Sequence, residues 1–222
     1  MTDYTRPAPL FLADNPALDF LNSIGAPTGH EFEWIDDGDD LLNWLESTKL
    51  VPPETLAHFR GSVASEVLNA VAAEARDLRN WFREFIASHA GKELGFSAFK
   101  DLGRLNLLLE KDAVYTQVGI QGPQESTGKG TTNFSDENRA LGLKVHRRWD
   151  QPADLLLPIA QAMAELICRI DFARVRNCEG PTCTMWFHDV SKNHTRRWCS
   201  MEICGNRAKA AAYRAKKKLS RK

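Results

Sequence analysis

Four of the five cysteines are spaced like the ligands of a metal ion. Cys178 and Cys183 form one C-x4-C pair, Cys199 and Cys204 form a second, and 15 residues separate the two pairs. Zn²⁺ takes four thiolates in a tetrahedron, so each pair needs a short turn that brings two sulfurs to the same ion. We therefore predict a structural Zn²⁺ site, because four thiolates leave no open position for a catalytic water.

Two disulfides, or four unrelated thiols, are the alternative uses of these cysteines. Disulfides require an oxidising compartment, and the chain starts MTDYTRPAPLFLADN, without the apolar segment of a secretory signal peptide. We therefore expect a cytoplasmic protein whose cysteines hold metal. The chain has no run of 18 apolar residues, so we expect no membrane span. The fifth cysteine, Cys168, lies beside the apolar stripe of a predicted helix and is expected to be buried.

The formal charge of zero conceals a strong asymmetry along the chain. From Arg174 onward there are 13 Lys or Arg and three acids, a net charge of +10, so the preceding residues carry −10. This asymmetry predicts a polyanion-binding tail on an acidic body. Residues 1–173 would form the body, and residues 174–222 a small module that the metal stabilises. A tail that folds back on the acidic body is the alternative.

The segment RAKAAAYRAKKKL, residues 207–219, predicts a helix because Ala and Lys are good helix formers. At about 100° per residue, Ala208, Ala212, Ala215 and Leu219 share a narrow stripe that could pack on the zinc module. The basic flank would then face the phosphates of duplex DNA, whereas a solvated tail is the alternative. The residues predicted to contact DNA are Arg196, Arg197, Arg207, Lys209, Arg214, Lys217, Lys218 and Arg221.

In residues 1–173, apolar side chains recur at helical spacing in the segments 41–45, 62–88, 97–111 and 154–172. Two alternating segments, 114–120 and 141–149, predict half-buried strands separated by a segment rich in Gly, Ser and Thr. The chain shows no Ser-His-Asp elbow, HExxH motif or phosphate loop, so we do not expect an enzyme.

Asp19, Asn22 and Arg79 are polar residues beside apolar ones, and if buried they must be hydrogen-bonded. We expect that they could line a pocket for a small-molecule effector, with Arg79 as the anion-binding residue. Capping and turn hydrogen bonds are the alternative for Asp19 and Asn22. Solvent, or pairing with an acid, is the alternative for Arg79.

The string RRWCSMEICGNRAK, preceded by CEGPTC and WFHDVSKN, resembles the CGNR zinc finger, a bacterial module. In that family the finger follows an ABATE domain, the type found in stress-induced transcription regulators. The segments ALDFLNS at residues 17–23 and LNLLL at residues 105–109 resemble parts of that domain.

This resemblance implies a zinc-dependent transcription regulator that binds duplex DNA and responds to stress or a ligand. A single operator would require a homodimer or several fingers, because one small module gives little specificity. The alternative is an RNA- or protein-binding zinc module on a metabolite-binding domain. The predicted fold class is α+β: a mainly helical N-terminal domain with a small antiparallel β element. A treble-clef or ribbon-like four-cysteine zinc finger and a basic helix would follow it.

Overall fold

A computed structural model describes residues 6–120 and 141–219 of the chain. The predicted Gly-rich segment between the two strands and the predicted DNA contact Arg221 lie outside these residues. The helices are α1 (Pro16–Leu21), α2 (Gly38–Thr48), α3 (Pro53–Ser62), α4 (Ser65–His89), α5 (Gly103–Leu109), α6 (Leu157–Arg169) and α7 (Asn206–Leu219). The strands are β1 (Ile24–Gly25), β2 (Phe32–Glu33), β3 (Val114–Ile120), β4 (Leu141–Arg147), β5 (Val175–Asn177) and β6 (Trp186–His188).

Three two-stranded antiparallel sheets, β1–β2, β3–β4 and β5–β6, accompany the helices. The predicted fold class is therefore confirmed: a mainly helical domain carries small antiparallel sheets, and the four cysteines cluster near the C-terminus. None of the described helices combines the length and the apolar character that crossing a bilayer requires.

Helix α4 forms the centre of the hydrophobic core. Its buried residues recur every three or four positions, as the periodicity predicts, and they pack with α1, α2 and the 3₁₀ helix Pro152–Leu156 that precedes α6. Asn15 caps the N-terminus of α1, because its side-chain oxygen accepts hydrogen bonds from the N–H groups of Ala17 (2.9 Å) and Leu18 (3.3 Å). This cap fixes the position of the segment that follows α1, which contacts the metal-binding region.

Three predictions within the helical domain need correction. Residues 97–111 form a 3₁₀ helix (Phe96–Leu102) followed by α5 instead of one continuous α-helix. Cys168 is exposed, because it lies two positions after Leu166, the last buried residue of α6. The strands β3 and β4 are exposed along most of their length instead of half-buried, since they project from the body as a ribbon.

Candidate metal centre and nucleic-acid interface

The four predicted ligands, Cys178, Cys183, Cys199 and Cys204, come together in one buried cluster. All four sulfurs lie within 4.8 Å of one another. The Cys199 Sγ is 3.7 Å from the Sγ atoms of both Cys183 and Cys204. Four sulfurs placed about 2.3 Å from a tetrahedral zinc ion would be about 3.8 Å apart. The cluster therefore has the donor set and the spacing that Zn²⁺ requires.

The first cysteine pair lies in the loop of the β5–β6 hairpin. The Cys178 N–H donates to the Met185 carbonyl (2.9 Å), and the Cys183 N–H donates to the Gly180 carbonyl (3.0 Å), which closes a tight turn. A Cβ at Gly180 would lie 3.0 Å from the Cβ of Cys183 and 3.2 Å from the Sγ of Cys204. Glycine at this position therefore allows the turn to approach the metal site closely.

In the second cysteine pair, Cys199 precedes a single π-helical turn, Met201–Gly205, and Cys204 lies within this turn, which leads directly into α7. Ser200 caps this turn, because its Oγ accepts hydrogen bonds from the N–H groups of Glu202 (3.1 Å) and Ile203 (3.4 Å). Cys204 lies in the turn, only two residues before α7 begins. A metal ion bound by Cys204 would therefore fix the direction in which α7 leaves the finger.

Hydrogen bonds to sulfur show how the site favours thiolates. The Cys178 Sγ accepts from the N–H groups of Cys199 (3.2 Å) and Gly180 (3.4 Å), and the Cys204 Sγ accepts from Arg207 Nη2 (3.2 Å). Hydrogen bonds from the Cys183 and Cys199 thiols, together with these N–H groups, lower the pKa of Cys178. The interaction with Cys178, together with burial, raises the pKa values of Cys183 and Cys199. A divalent cation would displace the thiol protons and stabilise all four thiolates.

Arg196, predicted to contact DNA, is instead a structural residue of the finger. Its five N–H groups all have acceptors in the chain, and its guanidinium lies 4.3 Å above the Phe187 ring centroid. The acceptors are the carboxylate of Asp14 and the carbonyls of Leu12 (2.8 Å), His188 (3.3 Å), Trp198 (3.0 Å) and Cys199 (2.6 Å). No donor remains for a phosphate, so the prediction for Arg196 is corrected.

Arg207 also has a structural contact that the sequence did not indicate. Its Nη2 donates to the carbonyl of Pro27 (2.6 Å) as well as to the Cys204 sulfur. It therefore links the metal centre to the N-terminal domain, and this nitrogen is not directed at a nucleic acid.

Among the described residues, the remaining predicted DNA contacts are on the outer surface. Arg197 has a side chain that is 61% exposed; it pairs with Glu179 (2.6 Å) and lies 4.5 Å from the Trp198 ring centroid. The other exposed cations that the prediction names are on α7, namely Lys209, Arg214, Lys217 and Lys218.

Helix α7 has no buried residue. Ala212, Ala215 and Leu219 of the small-residue stripe are exposed, so the expectation that this stripe packs on the zinc module is wrong. Only Arg207 and Ala208 in the first turn are half-buried, and the rest of α7 projects from the finger. Its basic residues beyond the first turn are therefore exposed on both flanks of the Ala stripe.

The three predicted pocket residues do not form a pocket, because each has another partner. Asn22 is buried and bonds both backbone groups of Trp186: its Nδ2 donates to the carbonyl (2.7 Å), and its Oδ1 accepts from the N–H (2.8 Å). Arg79 is 1% exposed, pairs with Glu33 (2.7 Å) and donates to Ser23 Oγ (2.8 Å), so it is not accessible to a free anion.

Asp19, the third predicted pocket residue, accepts a hydrogen bond from the Ala13 N–H (3.0 Å). Burial raises the pKa of Asp19 to about 6, although the backbone hydrogen bonds of Ala13 and Leu12 partly oppose this shift. The carboxylate thus organises the turn before α1. The expected alternative of capping and turn hydrogen bonds accounts for Asp19, whereas the Asn22 side chain bonds the distant Trp186.

Several residues that join the finger to the N-terminal domain could not be found from the sequence. The Ala26 N–H donates to Thr184 Oγ1 (2.9 Å), and the His188 N–H donates to the Ala13 carbonyl (2.9 Å). Together with Asn22 and Arg207, these contacts fasten the finger to residues 10–29. The finger is thus packed against the domain along its length instead of being attached only at residue 174.

Asp189 holds the long loop between the two cysteine pairs. It is fully buried and accepts hydrogen bonds from Ser191 N (3.0 Å), Ser191 Oγ (2.5 Å) and Arg196 N (3.0 Å). Burial by itself raises the pKa of Asp189, but the hydrogen bonds from Ser191 and Arg196 outweigh it, so the pKa is lowered. The D-x-S spacing, which is typical of an Asx turn, is the signal from which this role could have been inferred.

A cleft of about 590 Å³ opens at the base of the β3–β4 ribbon, away from the predicted pocket residues. Arg147 lies in its wall and pairs through two nitrogens with Asp112 (2.6 and 2.7 Å), and its Nη2 also donates to Gln161 (2.7 Å). Tyr115 and Trp149 supply aromatic surface. This cleft has the mixture of charged and aromatic groups that small-molecule sites use.

Comparison with protein families gives two matches. Residues 174–217 match the CGNR zinc finger, and residues 14–169 match ABATE, described as "Putative stress-induced transcription regulator". The second match spans well over half of the chain. The chain belongs to the ABATE family. The resemblance predicted from CGNR, ALDFLNS and LNLLL is confirmed. A search of curated proteins gave no match.

Within the ABATE domain, the segment that contacts the CGNR finger includes α1, β1 and the residues around them. The finger family match begins at Arg174, immediately before β5. The two matched regions therefore follow each other in sequence and are in direct contact in the structure.

Proposed function

We propose that this ABATE protein is a transcription regulator that binds duplex DNA through its zinc-organised CGNR finger and α7. The observation that carries the proposal is that α7 projects from the metal centre with no buried residue and with cations along its length. Family membership supports a regulatory role, and the four-sulfur cluster supports a zinc ion. Because four thiolates complete the coordination of zinc, we assign the ion a structural role. We also propose that the chain is not an enzyme, since its sequence has none of the catalytic motifs considered above.

The arrangement of charges on α7 suits a helix that lies along the DNA backbone or in the major groove. Lys209 and Lys216 lie on one side of the Ala stripe, and Arg214 and Lys218 lie on the other. A helix in the major groove passes between the phosphates of two strands, so cations on both flanks can contact them. The acidic ABATE domain carries the opposite net charge and would be directed away from the DNA.

The close contact between finger and ABATE domain suggests how a signal could reach the DNA-binding helix. A small-molecule effector or a stress signal that moved α1 or β1 would act on Asn22 and Pro27, which contact Trp186 and Arg207. Arg207 in turn contacts the Cys204 sulfur at the base of α7. We assign the effector to the cleft beside Arg147 instead of to Asp19, Asn22 and Arg79, and we place this activity in the cytoplasm.

The salt dependence of DNA binding tests the proposal. If Arg197 and the five basic residues 209–218 of α7 neutralise about six phosphates, the log of the affinity should fall with log salt at a slope of about −5. Fluorescence anisotropy with a labelled duplex and the zinc-loaded protein would measure this slope. Lys216→Gln with Lys218→Gln should reduce its magnitude by about 2.

The matched control neutralises Lys92 and Lys111, which are exposed on the ABATE domain, and should leave the slope unchanged. Absence of DNA binding by the zinc-loaded protein, or a slope near zero, would contradict the proposal. Structured RNA that displaces the duplex at lower concentration than competitor DNA would favour the RNA-binding alternative.

A further inference from the structure

The β3–β4 ribbon has one apolar face and one polar face. Its register pairs Val118 with Leu143, Ile120 with Leu141 and Thr116 with Val145, and because side chains alternate, these residues share one side. The opposite side carries Gln117 and Lys144, which pair with each other, and the Tyr115–His146 pair. The apolar side is thus continuous over the outer part of the ribbon.

This apolar face is exposed. Five of its residues are 50–75% exposed, namely Val118, Ile120, Leu141, Leu143 and Val145. A two-stranded ribbon is marginally stable in water by itself, and monomeric proteins rarely leave a contiguous aliphatic patch of several hundred Å² uncovered. The face therefore has the character of an interaction surface.

The chain segment between the two strands offers little that could cover the face. Residues 121–140 read QGPQESTGKGTTNFSDENRA, in which Phe134 is the single large apolar side chain. The covering surface must be aliphatic to match five aliphatic side chains, so a polar segment of this composition is a poor partner.

We propose that a second copy of this chain covers the face, with the two ribbons stacked about a twofold axis. A twofold interface brings the same patch together on both copies, so the patch must be complementary to itself. The outer part of this face contains no charged residue, so two copies meet without like-charge repulsion even though each body carries −10. Aliphatic faces of paired strands stack in this way in β-sandwiches.

The size of the face determines the strength of the dimer. Seven residues per strand span about 23 Å, and two strands with their side chains are about 10 Å wide. This area is smaller than the roughly 800 Å² per partner of a standard interface, so the dimer is weak, with a Kd in the range of about 1–100 µM. If the proposed function holds, the dimer presents two fingers to one operator, which would provide the specificity that one finger lacks.

Sedimentation equilibrium of the zinc-loaded full chain, between about 1 and 200 µM, tests the proposal. The wild type should pass from monomer to dimer over this range. Val118→Lys combined with Leu143→Glu makes the face charged while retaining a favourable cross-strand pair, and this variant should remain monomeric. The control, Gln117→Lys with Lys144→Glu, introduces the same pair on the opposite face and should dimerise like the wild type.

Hydrogen exchange provides a measurement that does not depend on the variants folding correctly. Amides of Val114–Ile120 and Leu141–Arg147 in the wild type should gain protection as the concentration rises. A wild type that is monomeric throughout would overturn the proposal, as would a charged-face variant that dimerises with unchanged affinity. The charged-face variant should still bind duplex DNA with the salt slope of a single finger, because its finger is unaltered, so failure of the dimer is distinguishable from failure of the DNA-binding role.

Discussion

Two adjacent arginines, Arg196 and Arg197, have the same chemistry and different roles. Arg196 is surrounded by five acceptors from three segments of the chain, whereas Arg197 contacts only Glu179 and Trp198 among the described residues. A guanidinium in a half-buried network of carbonyls stabilises the fold, and one on the surface is available to a partner. The sequence alone does not distinguish these two positions.

Arg196→Lys should destabilise the zinc-loaded protein by about 2–3 kcal/mol, because a single ammonium cannot reach acceptors on opposite sides of the guanidinium and leaves carbonyls unsatisfied. Urea denaturation at constant zinc concentration would measure the change in the free energy of unfolding. Arg197→Ala is the matched control: it should leave the urea midpoint unchanged and reduce the salt slope of DNA binding by about 1. Equal midpoints for Arg196→Lys and the wild type would contradict the structural role of Arg196.

Asp19 should make stability depend on pH. Its pKa in the folded state, about 6, is above the unfolded value near 3.9, so the folded state binds the proton more tightly. The stability that protonation provides is complete below pH 4 and is lost as the pH rises through 6. Asp19→Asn keeps a side-chain oxygen that can accept from the Ala13 N–H. Because an amide does not ionise, this variant should not lose stability as the pH rises through 6.

The variant Asp19→Asn should therefore exceed the wild type in stability by an amount that grows with pH. The difference in the free energy of unfolding between the variant and the wild type should increase by about 1–2 kcal/mol from pH 5 to pH 7.5. Above pH 7 this difference should be constant. Denaturation of both proteins with zinc at pH 5, 6 and 7.5 would measure it. A difference that is the same at all three pH values would exclude Asp19 as its source.

At the scale of the element, the turn that contains Cys204 leads directly into α7, and no other part of the described chain buries a residue of this helix. It has strong helix formers, and its first turn is held by the π turn that contains Cys204 and by the contact of Arg207 with Pro27. Beyond Ala208 every described residue is exposed. Stability and DNA binding should therefore be separable along this one helix.

Truncation after Ala208 should leave the stability of the protein nearly unchanged, because no buried residue is removed and Arg207 keeps its contacts. The same truncation should lower the affinity for duplex DNA by at least about 100-fold at moderate salt, since the cations of α7 are lost. Thermal denaturation and fluorescence anisotropy on the same preparation would test both expectations. A melting temperature reduced by several degrees would show that α7 packs on the body in solution.

At the scale of the whole molecule, the ABATE domain and the CGNR finger share an interface. Asn22 contacts Trp186, which lies 164 positions away, and Val175 and Phe172 belong to the same hydrophobic core as α4. We therefore expect metal binding to the finger to stabilise the adjoining part of the ABATE domain as well. Loss of zinc should therefore also destabilise residues 10–29, although none of them is a metal ligand.

Cys199→Ser should remove zinc and lower the free energy of unfolding by several kcal/mol. Hydrogen exchange should show lost protection in the finger and in residues 10–29, while the centre of α4 stays protected because its partners are within the ABATE domain. Cys168→Ser is the matched control, since this cysteine is exposed and away from the cluster. Retention of one zinc ion by Cys199→Ser, or unchanged protection of residues 10–29, would contradict this coupling.

The sequence by itself determined features that depend on neighbours in the chain. The two C-x4-C pairs predicted the sulfur cluster because each pair is joined by one short turn, and Gly180 fits the first of these turns. Helical periodicity predicted α4 to within a few residues, because its pattern extends over seven turns. The helical character of α7 and the charge of its segment also followed from composition.

Only the tertiary structure decided which side chains are covered and by what. Periodicity identified an apolar stripe on α7, and alternation identified an apolar face on β3 and β4. Both surfaces are mostly exposed in the structure. The residue pattern shows which side chains share a face, but it does not show whether another part of the chain packs against that face. The roles of Asn22, Arg79 and Arg196 depend on acceptors that are distant in sequence, and local residue types do not specify such contacts. The physical reason is that burial and hydrogen bonding are properties of the packed chain, whereas spacing and charge belong to the sequence.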